Sequence, residues 1–389
     1  MDKLVIDEKY YNTLNIPCFS SMLDSPTCCY KFYWLEAIVQ LISENKTSAT
    51  YETIINRMIT NAWYPVLEYH IHLSGIDSNG QIKDNLERAV LKLQELSQLS
   101  SNASLVDIQN KITELSADKE LKKYKNNLIL NVPYRALSGF ANQGNVNINL
   151  DGSKDKVMRA YNNLSQSKIL LPYVFCVGSG LDREIRFNDG WIQMIKDNAV
   201  AILGWIQHEK VKWLQKNNPE VPGMVYKYKM QSNDKVRKLE RVKNLWATVL
   251  KKISINDIFN GKKIEMGTYD IDHFIPWSFV MSDELWNLMP VISSENSSKS
   301  NKLPMWDIFF RGFAENQYLL YSQIRSGSEE IYQQYTACFQ DNLHSIWAIK
   351  ELYGRDNSHD EFQTILEKNM RPVYDSAFRQ GYDLWSPKG

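Results

Sequence analysis

Between Tyr269 and Pro304 the chain reads YDIDHFIPWSFVMSDELWNLMPVISSENSSKSNKLP, and no other stretch limits the fold as tightly. Tyr269–His273 has the pattern of a short strand that ends at Pro276, since proline has no N–H to give to a ladder. Asp270 and Asp272 are two apart and so share one face of that strand, while His273 points to the other face if the strand stays regular. For Asp272 and His273 to serve one site the backbone must bend there, and Pro276 with the loop after it offers the place. Leu288–Ile292 is a second strand candidate directly after Asn287. A helix is expected to start near Ser293, with Asn296 in its first turn. A strand pair facing a helix can bring Asp272, His273 and Asn296 to one point.

Those residue types suit hydrolysis of a phosphodiester. A carboxylate and an amide oxygen are hard ligands for Mg²⁺, which keeps several waters and takes phosphate oxygens as further ligands. Such a metal offsets the charge that builds up in the transition state. A neutral imidazole, with an ordinary pKa of about 6.5, can activate water near neutral pH. The stretch holds no thiolate and no second histidine, which argues against zinc.

The remaining sequence sets broader bounds. The 389 residues exceed what one compact core usually serves, so two or three domains are expected. Lys plus Arg equals Asp plus Glu at 45 each, and any basic surface must be local. One such segment runs from Lys227 to Lys252, where nine cations, among them Lys235, Arg237, Lys238, Arg241 and Lys243, meet only Asp234 and Glu240. It reads either as a solvated helix face or as a phosphate-gripping one. The five cysteines are odd in number and form no CxxC pair, which fits a reducing cytoplasm and disfavours a disulfide framework. The N-terminus shows no signal peptide, and the apolar run Ile169–Val177 is too short to span a bilayer, so no membrane is expected.

Residues 1–220 read as a mainly helical sensor, partner-docking or DNA-binding region. Tyr30–Ile42 is a long apolar run, Leu86, Val90 and Leu93 fall at helical spacing, and Ser104 with Asp107 resembles a capping box. Ile185–Trp213 also reads as helical, and Asn142–Lys156 as a loop or weak hairpin. NNPEVPG at Asn217–Gly223 marks a boundary. The basic segment and Tyr269–Pro304 fall in 221–310, and 311–389 is a helical C-terminal region. His70 and His72 alternate but lack a third ligand, so packing is the preferred role, and Asp283 with Glu284 is expected in an exposed loop.

The stretch Tyr269–Pro304 resembles the HNH, or ββα-metal, endonuclease family, and is similar to the Cas9-type HNH domain in the separations of His273, Asn287 and Asn296. Pro276, Ser278, Phe279, Lys299 and Ser300 fit the same pattern. The resemblance implies an α+β fold, in which a mostly helical chain carries a small ββα-metal domain. It implies that Asp272 and Asn296 hold Mg²⁺ (or Mn²⁺); Asp270, two residues before Asp272, reads either as an extra metal ligand or as a group that supports the ligands from behind. His273 would be the general base, and Asn287 would brace the loop that orients it. Lys299 and Lys302 read either as phosphate contacts or as solvated charge, and Arg237, Lys238 and Arg241 as candidate nucleic-acid contacts. The expected substrate is DNA, with RNA open. A regulatory protein or a second copy is an expected partner, and a role in phage defence or restriction follows by analogy. The competing reading is a nucleic-acid-binding or scaffolding protein on an inactive HNH fold; the presence of acid, histidine and last asparagine together speaks against it.

Overall fold

The computed structural model describes residues 4–143, 146–167, 169–228 and 237–387. The chain divides into two units, Met1–Pro219 with Met224–Met230 and Glu220–Gly223 with Gln231–Gly389. The architecture is α+β and mostly helical, with small sheets.

The first unit is built around α1 (Tyr30–Ser43), which buries every residue from Phe32 to Val39. A helix apolar on all sides has to be a core helix, because no face is left for water. Against it pack α2 (Tyr51–Leu67) and α6 (Ala199–Asn217), and α3 (Asn85–Ser97), α4 (Leu105–Glu114) and α5 (Lys119–Ile129) pack in turn on α2. Their starts are set by side chains that accept orphan backbone N–H groups: Thr50 caps α2, Asp84 caps α3 and Ser104 caps α4. Lys210 on α6 donates to Glu36 on α1 at 2.7 Å, and both are buried. A three-stranded antiparallel sheet, β1 (Ser48–Thr50), β2 (Tyr173–Phe175) and β3 (Glu184–Phe187), is ordered β1-β3-β2. This corrects the helical expectation at Ile185, which pairs with Ala49 in β3; helix resumes at Asp189–Asp197. His72 contacts Glu87 at 2.8 Å, and all five cysteines are free.

The first α-helix of the second unit is α7 (Glu240–Leu250), whose Val242, Leu245, Trp246 and Val249 are buried. β4 (Tyr269–His273) and β5 (Leu288–Ile292) form an antiparallel pair with Tyr269 opposite Ile292 and His273 opposite Leu288. α8 (Ser293–Lys299) follows β5 without a gap. The pair packs against α7, α8 and α9 (Trp306–Arg325). Helices Glu329–Ala337 and α10 (His359–Arg379) complete the unit, and a short parallel pair joins β6 (Leu303–Pro304) to β7 (Leu384–Trp385). Phe274 anchors the end of β4 in an aromatic cluster with Phe313 at 4.6 Å and Trp306 at 5.9 Å. Among the described residues no helix is long and apolar enough to cross a membrane.

Candidate active site

The site grows out of the β4–β5 pair. The register stays regular from Tyr269 to His273, so the bend expected between Asp272 and His273 is absent. Pairing with Leu288 holds His273 in line, and the chain leaves the ladder only after it. Phe274 still donates its N–H to Asn287 O at 2.9 Å. One residue on, the Asn287 side chain takes over: Oδ1 accepts from Ile275 N and Nδ2 donates to Ile275 O, both at 2.8 Å. The buried Asn287 amide thus stands in for a strand partner and closes the 274–287 connection.

α8 lies beside the acidic face of β4. Asn296 and Lys299 are three apart, so they share a helix face. Asn296 Nδ2 is 3.5 Å from Asp270 Oδ2, and Lys299 Nζ is 3.0 Å from Asp272 Oδ2. The Lys299 amine aims its aligned hydrogen bond elsewhere, at the His273 carbonyl oxygen 2.8 Å away. Asp272 Oδ2 is therefore buried without an aligned donor among the described residues. Its charge is met instead by the Lys299 ammonium as an ion pair. Turning the Asn296 amide about its last bond would present Oδ1 in place of Nδ2 beside Asp270, and oxygen donors of that kind suit a hard divalent cation. Among the described residues no three His, Cys, Asp or Glu side chains are grouped to hold a metal.

The His273 side chain is only 2% exposed, and its Nε2 is 2.9 Å from Asp283 Oδ1. Burial lowers the imidazole pKa below its ordinary value, against the pull of the Asp283 hydrogen bond and charge. At Asp283 burial acts to raise the carboxyl, and the His273 hydrogen bond, the Lys238 N–H and nearby Arg237 outweigh it, so the group sits below its ordinary value. The expectation that Asp283 and Glu284 occupy an exposed loop is corrected. The Asp283 side chain is 10% exposed, and the buried Glu284 accepts from His344 N at 3.0 Å and Ser345 N at 3.1 Å. Two further buried residues support the strands. Asp257 accepts from Ile292 N at 2.7 Å, and Gln317 donates to Leu288 O at 2.7 Å.

Residues 250–305 match the family model for HNH endonucleases. The chain carries an HNH domain. No curated protein matches the chain. An HNH domain implies a nucleic-acid substrate and a nuclease, and HNH nucleases in general depend on a divalent metal.

The cations within the HNH stretch and just before it differ in what they touch. Lys299 is buried against Asp272 and the His273 carbonyl, away from solvent, whereas Lys302 is exposed. Arg241 on α7 is held by Asp341 at 2.7 Å and Gln340 at 2.6 Å. Arg237 lies over the Trp277 ring at 5.3 Å, and Lys238 is exposed with its backbone N–H on Asp283. Lys229 and Lys235 lie outside the described residues. Asp283 carries no pattern of its own in the sequence; the one usable signal is that it is an acid in the connection that returns from the histidine strand to Asn287.

Proposed function

We propose that the chain is an endonuclease that hydrolyses DNA phosphodiester bonds with Mg²⁺, and that His273 is its general base. The observation that carries this reading is the match of β4 and α8, with Asp270 opposite Asn296 and Asp272 beside Lys299, together with the reach of the Asp272 charge to the His273 imidazole although the two side chains leave opposite faces of the regular strand. Asp270, Asp272 and Asn296 would hold the metal. When bound, Mg²⁺ offsets charge on the scissile phosphate and steadies the leaving oxygen. His273 takes a proton from water as the water oxygen bonds to phosphorus and the bond to the leaving sugar oxygen breaks. Lys302, exposed just beyond α8, and Arg237 with Lys238 are the proposed phosphate contacts, which position the backbone without reading sequence. Lys299 works inside the site, on the Asp272 carboxylate and the end of the histidine strand.

Plasmid DNA incubated with the purified chain tests this directly. Cleavage should appear with Mg²⁺, vanish with EDTA and return when Mg²⁺ is restored. Undiminished cutting in EDTA, or none with Mg²⁺ or Mn²⁺, overturns the reading. A cytoplasmic role as effector of a phage-defence or restriction system extends the same proposal. It requires that wild type, and not His273→Ala, lower the plating of an infecting phage.

A further inference from the structure

The 274–287 connection is pinned at its far end as firmly as at its start. Asn342, buried, donates through Nδ2 to Asp283 O at 2.8 Å and to Lys238 O at 2.7 Å, and its own carbonyl accepts from Leu285 N at 2.7 Å. The Asp283 carboxylate is fixed at both oxygens. Oδ2 accepts the Lys238 N–H at 2.7 Å, and Oδ1 faces His273 Nε2 at 2.9 Å. Backbone and side chain are thus both held, and His273 is held in turn.

An ionised carboxylate can only accept hydrogen bonds, so the ring nitrogen facing it must carry the hydrogen. A neutral imidazole has one N–H, which leaves the other nitrogen with a bare lone pair. On these grounds we propose that Asp283 is a positioning residue for the nuclease reaction, fixing His273 as the Nε2–H tautomer so that Nδ1 is the base. In the reaction the water proton passes to Nδ1, and Asp283 faces the imidazolium that forms and keeps its own charge. This deepens the nuclease reading above and rests on it for its kinetic consequences. The tautomer itself is independent of turnover.

Two measurements on the full chain test it. In the first, protein labelled with ¹⁵N on its histidine rings is recorded metal-free at neutral pH in long-range proton–nitrogen spectra. The His273 signals are assigned by their loss in His273→Ala. The Nε2–H pattern is expected in wild type; the Nδ1–H pattern, or averaging of the two, overturns the proposal. In the second, cleavage of a duplex with Mg²⁺ is compared between wild type, Asp283→Asn and the double variant with His273→Ala. The nearly isosteric Asn can donate to Nε2 and favour the wrong tautomer, so kcat should fall by about 100-fold or more, the low end for losing a general base. KM and metal-free DNA binding should stay within about twofold. The double variant should cut no more slowly than His273→Ala alone, since Asp283 acts through the ring. A wild-type kcat in Asp283→Asn, or independent losses in the double variant, overturns the assignment. If wild type itself cuts nothing, the nuclease reading fails, and the ring spectra still decide the role of Asp283.

Discussion

His273 and Asp84 are both buried, and in each case burial disfavours the charged form, so the imidazole moves down and the carboxyl moves up. For His273 the expected consequence is functional. A base that stays neutral is ready to accept a proton, and His273→Ala should slow cleavage at least about 100-fold while DNA binding holds. Wild-type rates in that variant would place the base elsewhere. For Asp84 the consequence is a pH dependence of stability. Its carboxyl is pushed up to about 6 from an ordinary 3.8, chiefly by burial beneath α3, with Ser74 and the Leu86 and Glu87 N–H groups pulling the other way. The folded state binds this proton more tightly than the unfolded chain does. The contribution is therefore complete below about pH 4 and is lost as pH rises through 6, by up to about 3 kcal/mol. Asp84→Asn keeps an oxygen for the cap and removes the titration. Its stability relative to wild type should rise by about 1–2 kcal/mol between pH 5 and 7.5, read by thermal or urea unfolding. A difference that does not change with pH would show that Asp84 is not the source.

At the scale of elements, the β4–β5 pair and α8 form one device, because Asn296 and Lys299 on the helix each meet a strand carboxylate. Replacing Asp272 with Ala should abolish Mg²⁺-dependent cutting, and Asn296→Ala should do the same with little loss of thermal stability, because Asn296 is half-buried and its side-chain hydrogen bond to Asp270 is long. Retained cutting in either variant would exclude that residue as a ligand. The basic segment divides by what each cation touches. Arg241 is committed to Asp341 and Gln340, so Arg241→Ala should weaken the packing of α7 and leave the salt dependence of DNA binding alone. Lys302 is exposed, and Lys302→Ala should flatten the plot of log affinity against log salt by about 0.9. An unchanged slope in Lys302→Ala would leave the substrate path to other cations. Strand, loop, strand and helix were legible because their signals are local: acidic alternation, Pro276, and the spacing of His273, Asn287 and Asn296. The site role of Asp283 was not legible. Its burial comes from Lys238 and Asn342, 45 and 59 residues away, and an acid between Ser282 and Glu284 carries no trace of them. The β1-β3-β2 sheet was hidden for a similar reason: strands of three or four residues are too short for alternation to register, and Ser48 finds its partner at Arg186.

At the scale of the whole chain, each unit has a core of its own. In the first, Glu36 and Lys210 are a buried pair, so Glu36→Ala would leave a buried cation uncompensated and cost about 3–5 kcal/mol. A loss under about 1 kcal/mol on chemical denaturation would show that water reaches Lys210. The two units also alternate along the sequence. Glu220–Gly223 belongs to the second, where Glu220 receives Arg379 of α10 at 2.7 Å, while Met224–Met230 returns to the first, where Met224 and Lys227 are buried. A polypeptide severed between Pro219 and Glu220 therefore leaves one fragment short of its last buried side chains and the other with an extension that does not belong to it. During synthesis, the first unit cannot close its core until the opening residues of the second have already left the ribosome.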